Sequence, residues 1–300
     1  MPKHTERFRA ARLDRSRLLT LEGAEPPPKP SAPARAVSFL KPYLLGVAGS
    51  IYLFTIGWTR WKNRAAIVEL GHHFGYRHES RVTPTLPVVA ASALVPENAT
   101  LDIRAIDSVD GNVSERELIT ICRLVRQQQP MNLFEFGTFD GRTTLNLVAN
   151  SPSDARVFTL DLPAGAVSKA VSPIHRHEIQ YADKPASGAR YRGTDLESRI
   201  VSLEGDSGSF DYSPYLGQID FVFIDASHTF EYVVNDSLVA LRLLRSEGGT
   251  IVWHDYGRWD GVTAALHELK ARHDSFRDLV QIAGTTLAVQ RVPASASAQA

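Results

Sequence analysis

Residues 219–233 read IDFVFIDASHTFEYV. The apolar run stops at Asp225, His228 follows three positions later, and a helical pattern then begins, so the segment predicts a buried strand whose carboxyl end carries polar chemistry. Residues 249–257, GTIVWHDYG, repeat the arrangement, with His254 and Asp255 closing a second apolar run. Further strands are predicted at NLFEFG (132–137), RVFTLD (156–161) and RIVSLEGD (199–206), and most are separated by helical stretches such as TTLNLVAN and YVVNDSLVALRLLR. Near-continuous apolar strands alternating with helices indicate a parallel sheet covered on both faces. The final stretch, LVQIAGTTLAVQR (279–291), reads as two strands joined by a Gly-Thr turn and supplies an antiparallel edge. The expectation is an α/β fold of seven strands.

Upstream, SERELITICRLVRQQQ (114–129) pairs Ser114 with Glu117 as a capping box ahead of Leu118, Ile121, Cys122 and Val125 at helical spacing, which starts a helix near 115. Pro130 ends it. Residues 1–36 are basic, then proline-rich (EPPPKPSAPAR), and read as a disordered tail, with a second short tail at 292–300. Residues 66–114 form a lead-in to the main domain, 115–291. Between tail and lead-in, 37–65 contains PYLLGVAGSIYLFTIGWT (42–59), an uncharged run followed by Arg60, Lys62 and Arg64. It reads two ways, as a membrane span or surface anchor and as an interface or core helix.

Thirty-three basic residues balance thirty-three acidic ones, so no overall field draws a polyanion and no nucleic-acid partner is expected. The single cysteine, Cys122, sits in an apolar pattern, where it packs; its isolation fits a reducing, cytoplasmic setting. A homo-oligomer stays open. HRHE (175–178) and GHH (71–73) with His78 lie in polar, loop-like sequence and read as solvated surface.

In an open parallel sheet, ligands bind beyond the carboxyl ends of the strands. Glu135, Asp161, Asp206, Asp225 and Asp255 stand at those ends here, five acidic residues in register. EFGTFDGRTT (135–144) sets Gly137 and Gly141 between strand and helix but is neither a dinucleotide fingerprint nor a phosphate loop, and a ligand with a carboxylate or amino-acid end suits it better. Asp161, twenty residues after Gly141, stands where an acidic side chain accepts from both hydroxyls of a ribose.

FEFGTFDGRTT, TLDLP, EGDS, DFVFIDASHTFEYV and IVWHDYG, in this order and spacing, resemble the class I S-adenosylmethionine-dependent methyltransferases. More narrowly they resemble methyltransferase family 24, the O-methyltransferase branch with macrocin O-methyltransferase and cephalosporin hydroxylase-like members, over residues 115–291. The resemblance implies a Rossmann-like sheet and methyl transfer from S-adenosylmethionine to a hydroxyl of a small, sugar-like or polyhydroxyl acceptor. It also implies that Glu135, Gly137, Phe139, Gly141 and Thr143 surround the methionine part of the cofactor, Asp161 holds the ribose, Asp206 and Ser207 face the adenine, and Asp225 lies near the amino group. Related enzymes use a divalent cation, Mg²⁺ or Mn²⁺, and Asp225, His254 and Asp255 are the expected ligands. His254 departs from the carboxylate or amide often found beside the second aspartate, and leaves the metal's identity open. His228 stands where catechol-type enzymes carry a catalytic lysine and is expected to be the general base, with Asp225 as the second catalytic residue. Two other readings stay open: a non-catalytic binding module, and an iron-dependent hydroxylase using the same histidines. The long connection 162–197 is expected to be a lid over the acceptor.

Overall fold

The computed structural model describes residues 32–60, 63, 67, 81–96, 98–172, 174, 178–182, 184 and 186–294. The predicted tail residues 1–31 and 295–300, the histidines 72, 73 and 78 with their neighbours, and His175 and His177 lie outside the described residues. The chain divides into two units, residues 1–63 and 64–300.

In the first unit, helix α1 spans Ala32–Thr55 with Pro42 inside it. Leu40, Tyr43, Leu44, Val47, Ile51 and Phe54 recur every three or four residues and are all exposed. Among the described residues no helix is long and apolar enough to cross a membrane.

The second unit is built on one eight-stranded sheet. Its strands are β1 (Val88–Val89), β2 (Asn132–Phe136), β3 (Arg156–Asp161), β4 (Ile200–Glu204), β5 (Phe221–Ile224), β6 (Gly249–Trp253), β7 (Val280–Ile282) and β8 (Ala288–Val292), in the order β1-β7-β8-β6-β5-β2-β3-β4. β8 alone runs against its neighbours β6 and β7, and every other pairing is parallel. The expected antiparallel element is therefore present, flanked on its outer side by β7 and β1. The eighth strand, β1, lies within LPVVAASALV; two residues long, it is too short to show a period.

Strand alternation explains how one sheet carries two cores. Phe221 and Phe223 point to one face with Leu133, Val157 and Val252, beneath helices α2 (Glu115–Gln128) and α3 (Arg142–Asn150). Val222 and Ile224 point to the other with Phe134, Phe136 and Trp253, beneath α4 (Phe230–Leu243) and α5 (Asp260–Arg272). Each buried aliphatic or aromatic side chain contributes about 1.5–3 kcal/mol on leaving water, so a sheet buried on both faces is strongly held in register. The capping box on α2 forms as read, with the Ser114 side chain accepting from Glu117 N and the Glu117 carboxylate accepting from Ser114 N. Cys122 is fully buried, and burial raises its thiol to about 12.

Candidate active site

The strand order reverses at β2, which pairs with β3 on one side and β5 on the other, and the residues just past these strand ends continue the ladder by one step. Gly137 N donates to Leu160 O (2.8 Å), Asp225 N to Phe136 O (2.9 Å), His254 N to Ile224 O (3.1 Å) and Gly205 N to Asp161 O (3.0 Å). The ladder thereby brings Gly137, Asp161, Asp225 and His254 to one edge. Beyond that edge lies a cavity of about 910 Å³ lined by Gly137, Phe139, Thr143, Asp161, Asp206, Ser207, Asp225, His228, His254 and Asp255, ten of the twelve residues nominated from sequence.

Glu135 and Gly141 are not among the lining residues. Glu135 is fully buried on the α3 face of β2, where its Oε2 accepts from Thr144 Oγ1 and from Thr159 Oγ1 (2.6 Å). Burial raises its carboxyl to about 8, partly offset by those two hydroxyls and reinforced by Asp225 and Asp161, so it is protonated at neutral pH. Gly141 (φ +84) is required by packing: a Cβ would fall 2.6 Å from the Tyr191 ring and 2.8 Å from Gly188 Cα. Gly137 (φ +88) has a similar reason, since a Cβ would meet the Asp225 carbonyl at 2.0 Å. Two lining residues without glycine's freedom also adopt left-handed backbone, Phe139 (φ 49) and Asp255 (φ 64). Such conformations cost about 1–3 kcal/mol and concentrate at functional sites.

At the end of the cavity near β3 and β4, Asp161 Oδ2 accepts from Phe139 N (3.1 Å), Ser187 Oγ (2.6 Å) and Lys184 Nζ (2.7 Å). Asp206 accepts from Tyr232 OH (2.9 Å) and Val171 N (2.6 Å), and the Ser207 carbonyl is held by Asn235 and Tyr212.

At the other end stand two histidines among four carboxylates. His228 Nε2 lies 2.9 Å from Asp255 Oδ2, and its Nδ1 lies 3.3 Å from Glu178 Oε1 without hydrogen-bond geometry. Its ring stacks on Trp259, with centroids 4.7 Å apart and planes at 4°. Burial alone would depress the imidazole, but the two carboxylates outweigh it and raise His228 to about 10. His254 Nδ1 lies 3.1 Å from Asp225 Oδ1 and 3.4 Å from Asp255 Oδ2, and its Nε2 lies 3.3 Å from Glu117 Oε2. Burial opposes its charge too, yet Asp255 and Asp225 hold it well above the ordinary histidine value. Glu117 is pushed up by burial and pulled further down by His254, Thr286 and Ser114, so its carboxyl ends well below the ordinary range. The donor atoms of Asp225, His228 and Asp255 lie within 4.8 Å of one another and offer a site for a cation; His254 stands beside the same carboxylates with one nitrogen turned to Glu117.

Glu117 and Glu178 were not found from sequence. Glu117 was visible only as a cap, while its partners His254 and Thr286 lie 137 and 169 positions away. Glu178, read with its neighbours as solvated surface, is buried, where it accepts from Ser227 Oγ (3.0 Å) and His228 N (3.2 Å).

Residues 134–256, which hold this whole strand edge, match the family model described as "Methyltransferase domain". No curated protein matches the chain. Solved structures similar to it include the O-methyltransferase TomG from Streptomyces achromogenes, involved in tomaymycin synthesis and in complex with SAM, at 20% identity, covering 61% of this chain and 82% of that one with a TM-score of 0.42. An O-methyltransferase from Bacillus cereus in complex with SAH matches at 21% identity over 64% of this chain and 84% of its own, TM-score 0.40. The SAH-bound methyltransferase PaMTH1 from Podospora anserina matches at 17% identity over 62% and 81%, TM-score 0.42. Among the described residues, nine carboxylates line the cavity against Lys184, Arg258 and two histidines, a balance that favours a positively charged ligand.

Proposed function

We propose that the chain is an S-adenosylmethionine-dependent O-methyltransferase acting on a hydroxyl of a small acceptor. The observation that carries this reading is the convergence of Gly137, Asp161, Asp206 and Asp225 on one acidic cavity whose far end holds the histidine–carboxylate cluster. The residues fit the cofactor: Asp161 faces the cavity for the ribose hydroxyls, Ser207 and Asp206 for the base, and the Gly137 loop for the amino-acid end. S-adenosylmethionine supplies a methyl group on a positively charged sulfonium, which the surplus of carboxylates suits.

The acceptor then lies between His228, Asp225 and Trp259, and His228 takes the hydroxyl proton. Held by Asp255 and Glu178, His228 carries a proton of its own near neutral pH, so it accepts one only in the fraction of molecules that have lost it. Methyl transfer should therefore rise with pH from 7 toward about 10. The convergence of Asp225, His228 and Asp255 favours a second reading, in which they hold Mg²⁺ or Mn²⁺ and His254, positioned by Glu117, orients Asp225. A divalent cation there supplies charge that lowers the hydroxyl's affinity for its proton. Methyl transfer from labelled cofactor, measured against pH before and after chelation, tests both. A rate that survives chelation and climbs tenfold per pH unit supports the free base, a rate lost on chelation and restored by Mg²⁺ or Mn²⁺ supports the cation, and no transfer to any hydroxyl acceptor refutes the function.

We also propose that α1 rests on a membrane surface. Its exposed apolar stripe from Leu40 to Phe54, with Lys41 and Arg60 near the ends, supports this reading. Flotation of the full chain with anionic vesicles is expected, and recovery only in the lipid-free fraction would refute it.

A further inference from the structure

The connection between β3 and β4 was expected to cover the acceptor, yet its described residues reach both ends of the cavity. Glu178 engages Ser227 and His228 at the acceptor end. Tyr181 sets its ring edge-on to Phe139, with centroids 6.0 Å apart, and donates its hydroxyl to Asp110 Oδ2 at 2.9 Å. At the cofactor end, Lys184 Nζ sits 2.7 Å from Asp161 Oδ2, with only 10% and 11% of the two side chains exposed, and Ser187 Oγ donates to the same oxygen at 2.6 Å. Val171 N donates to Asp206 Oδ2 at 2.6 Å.

These contacts share a property. Asp161 is the carboxylate that a ribose would address with two hydroxyl donors, and the chain already presents it with an ammonium and a hydroxyl of its own. A carboxylate oxygen with three donors has little capacity left for more. The cation also neutralises the charge that would attract a ligand to that end.

We infer that Lys184 and Ser187 form an intramolecular strap that stands in for the ribose hydroxyls at Asp161, so that nucleoside binding and release of this segment are mutually exclusive. The inference rests on the assignment of Asp161 to the ribose of S-adenosylmethionine. The strap makes the apparent affinity lower than the intrinsic one, because only strap-open molecules bind.

The test is calorimetric titration of the full chain with S-adenosylhomocysteine, in the wild type, Lys184→Met, Ser187→Ala, Asp161→Asn and the Asp161→Asn/Lys184→Met double variant, with folding checked by circular dichroism. Lys184→Met keeps the aliphatic stem and removes the competitor, so affinity should rise about tenfold, the factor expected when a charge-assisted hydrogen bond no longer has to be broken. Ser187→Ala should give a smaller gain. In the Asp161→Asn background the lysine substitution should give none, a dependence that a merely structural lysine would not show. Unchanged or weaker binding by Lys184→Met, with the wild type binding, overturns the strap and leaves the cofactor assignment standing. Absence of binding by every folded variant overturns the cofactor assignment, and the strap with it.

Discussion

Glu117 offers the sharpest test of how the site is held. Its side chain is 7% exposed, and its carboxylate accepts from Ser114 N (2.9 Å), Ser114 Oγ (2.7 Å), Thr286 N (2.8 Å) and Thr286 Oγ1 (2.8 Å) while facing His254 Nε2 at 3.3 Å. Truncation to alanine removes the carboxylate half of the capping box on α2, orphans the Thr286 amide and leaves a buried imidazolium short of one counter-charge. Removing one partner of a buried, hydrogen-bonded pair costs about 3–5 kcal/mol. In a domain of this size each kcal/mol lowers the melting temperature by about 2–4 °C, so Glu117→Ala should melt roughly 6–20 °C below the wild type. Glu117→Gln keeps the shape and an acceptor for Thr286 but loses the charge, and should cost about half as much. Its penalty should also depend on pH. Glu117 has a folded value below its unfolded one, so its contribution is present above about pH 4.3 and lost as pH falls. His254 is raised on folding, so its contribution is complete below about pH 6.5 and erodes as pH rises toward the folded value. The stability gap between wild type and Glu117→Gln, measured by urea unfolding from pH 4 to 9, should be widest near pH 5–6. A gap below about 1 kcal/mol, or one flat with pH, would refute the ion-pair reasoning.

Three further outcomes follow from single contacts. Arg142 is fully buried and donates to the carbonyls of Ala105, Ile106 and Val113; Arg142→Met should destabilise by about 3 kcal/mol in chemical unfolding and make residues 105–113 the first site of limited proteolysis. Gly137→Ala puts a Cβ 2.0 Å from the Asp225 carbonyl at φ +88, so it should cost more than about 2 kcal/mol and displace Asp225, read as loss of both thermal stability and ligand binding. Cys122, with its thiol raised to about 12, should resist aromatic disulfide reagents at pH 8 in the folded chain and react at once in denaturant.

The fold was legible because a parallel sheet buried on both faces writes itself as apolar runs between helices, and all seven longer strands lie where those runs do. The edge of the sheet was legible for the same reason: strand ends such as Asp161, Asp225 and Asp255 mark where apolar sequence stops. What sequence did not show is which side chains of a strand end face the opening. Glu135 follows the pleat into the core beneath Thr144, and Gly141 answers to Tyr191, although both sit in the same loop motif as residues that line the cavity. Long-range partners were equally hidden. Glu117, Glu178 and Lys184 enter the site from a helix cap and a connecting segment, positions whose local pattern explains them without a site. His228 was found, but its two carboxylate neighbours, which set its protonation, come from residues 178 and 255.

The central claim is that the acidic strand edge holds S-adenosylmethionine through Asp161. The direct measurement is calorimetric titration of the full chain with S-adenosylhomocysteine, Lys184→Met beside Asp161→Ala/Lys184→Met, so that the strap weighs on neither. Saturable micromolar binding that the aspartate substitution weakens at least about tenfold is the expected result, as for a lost pair of hydrogen bonds to a carboxylate. No heat of binding from the folded Lys184→Met chain, or equal affinity in both proteins, would contradict it.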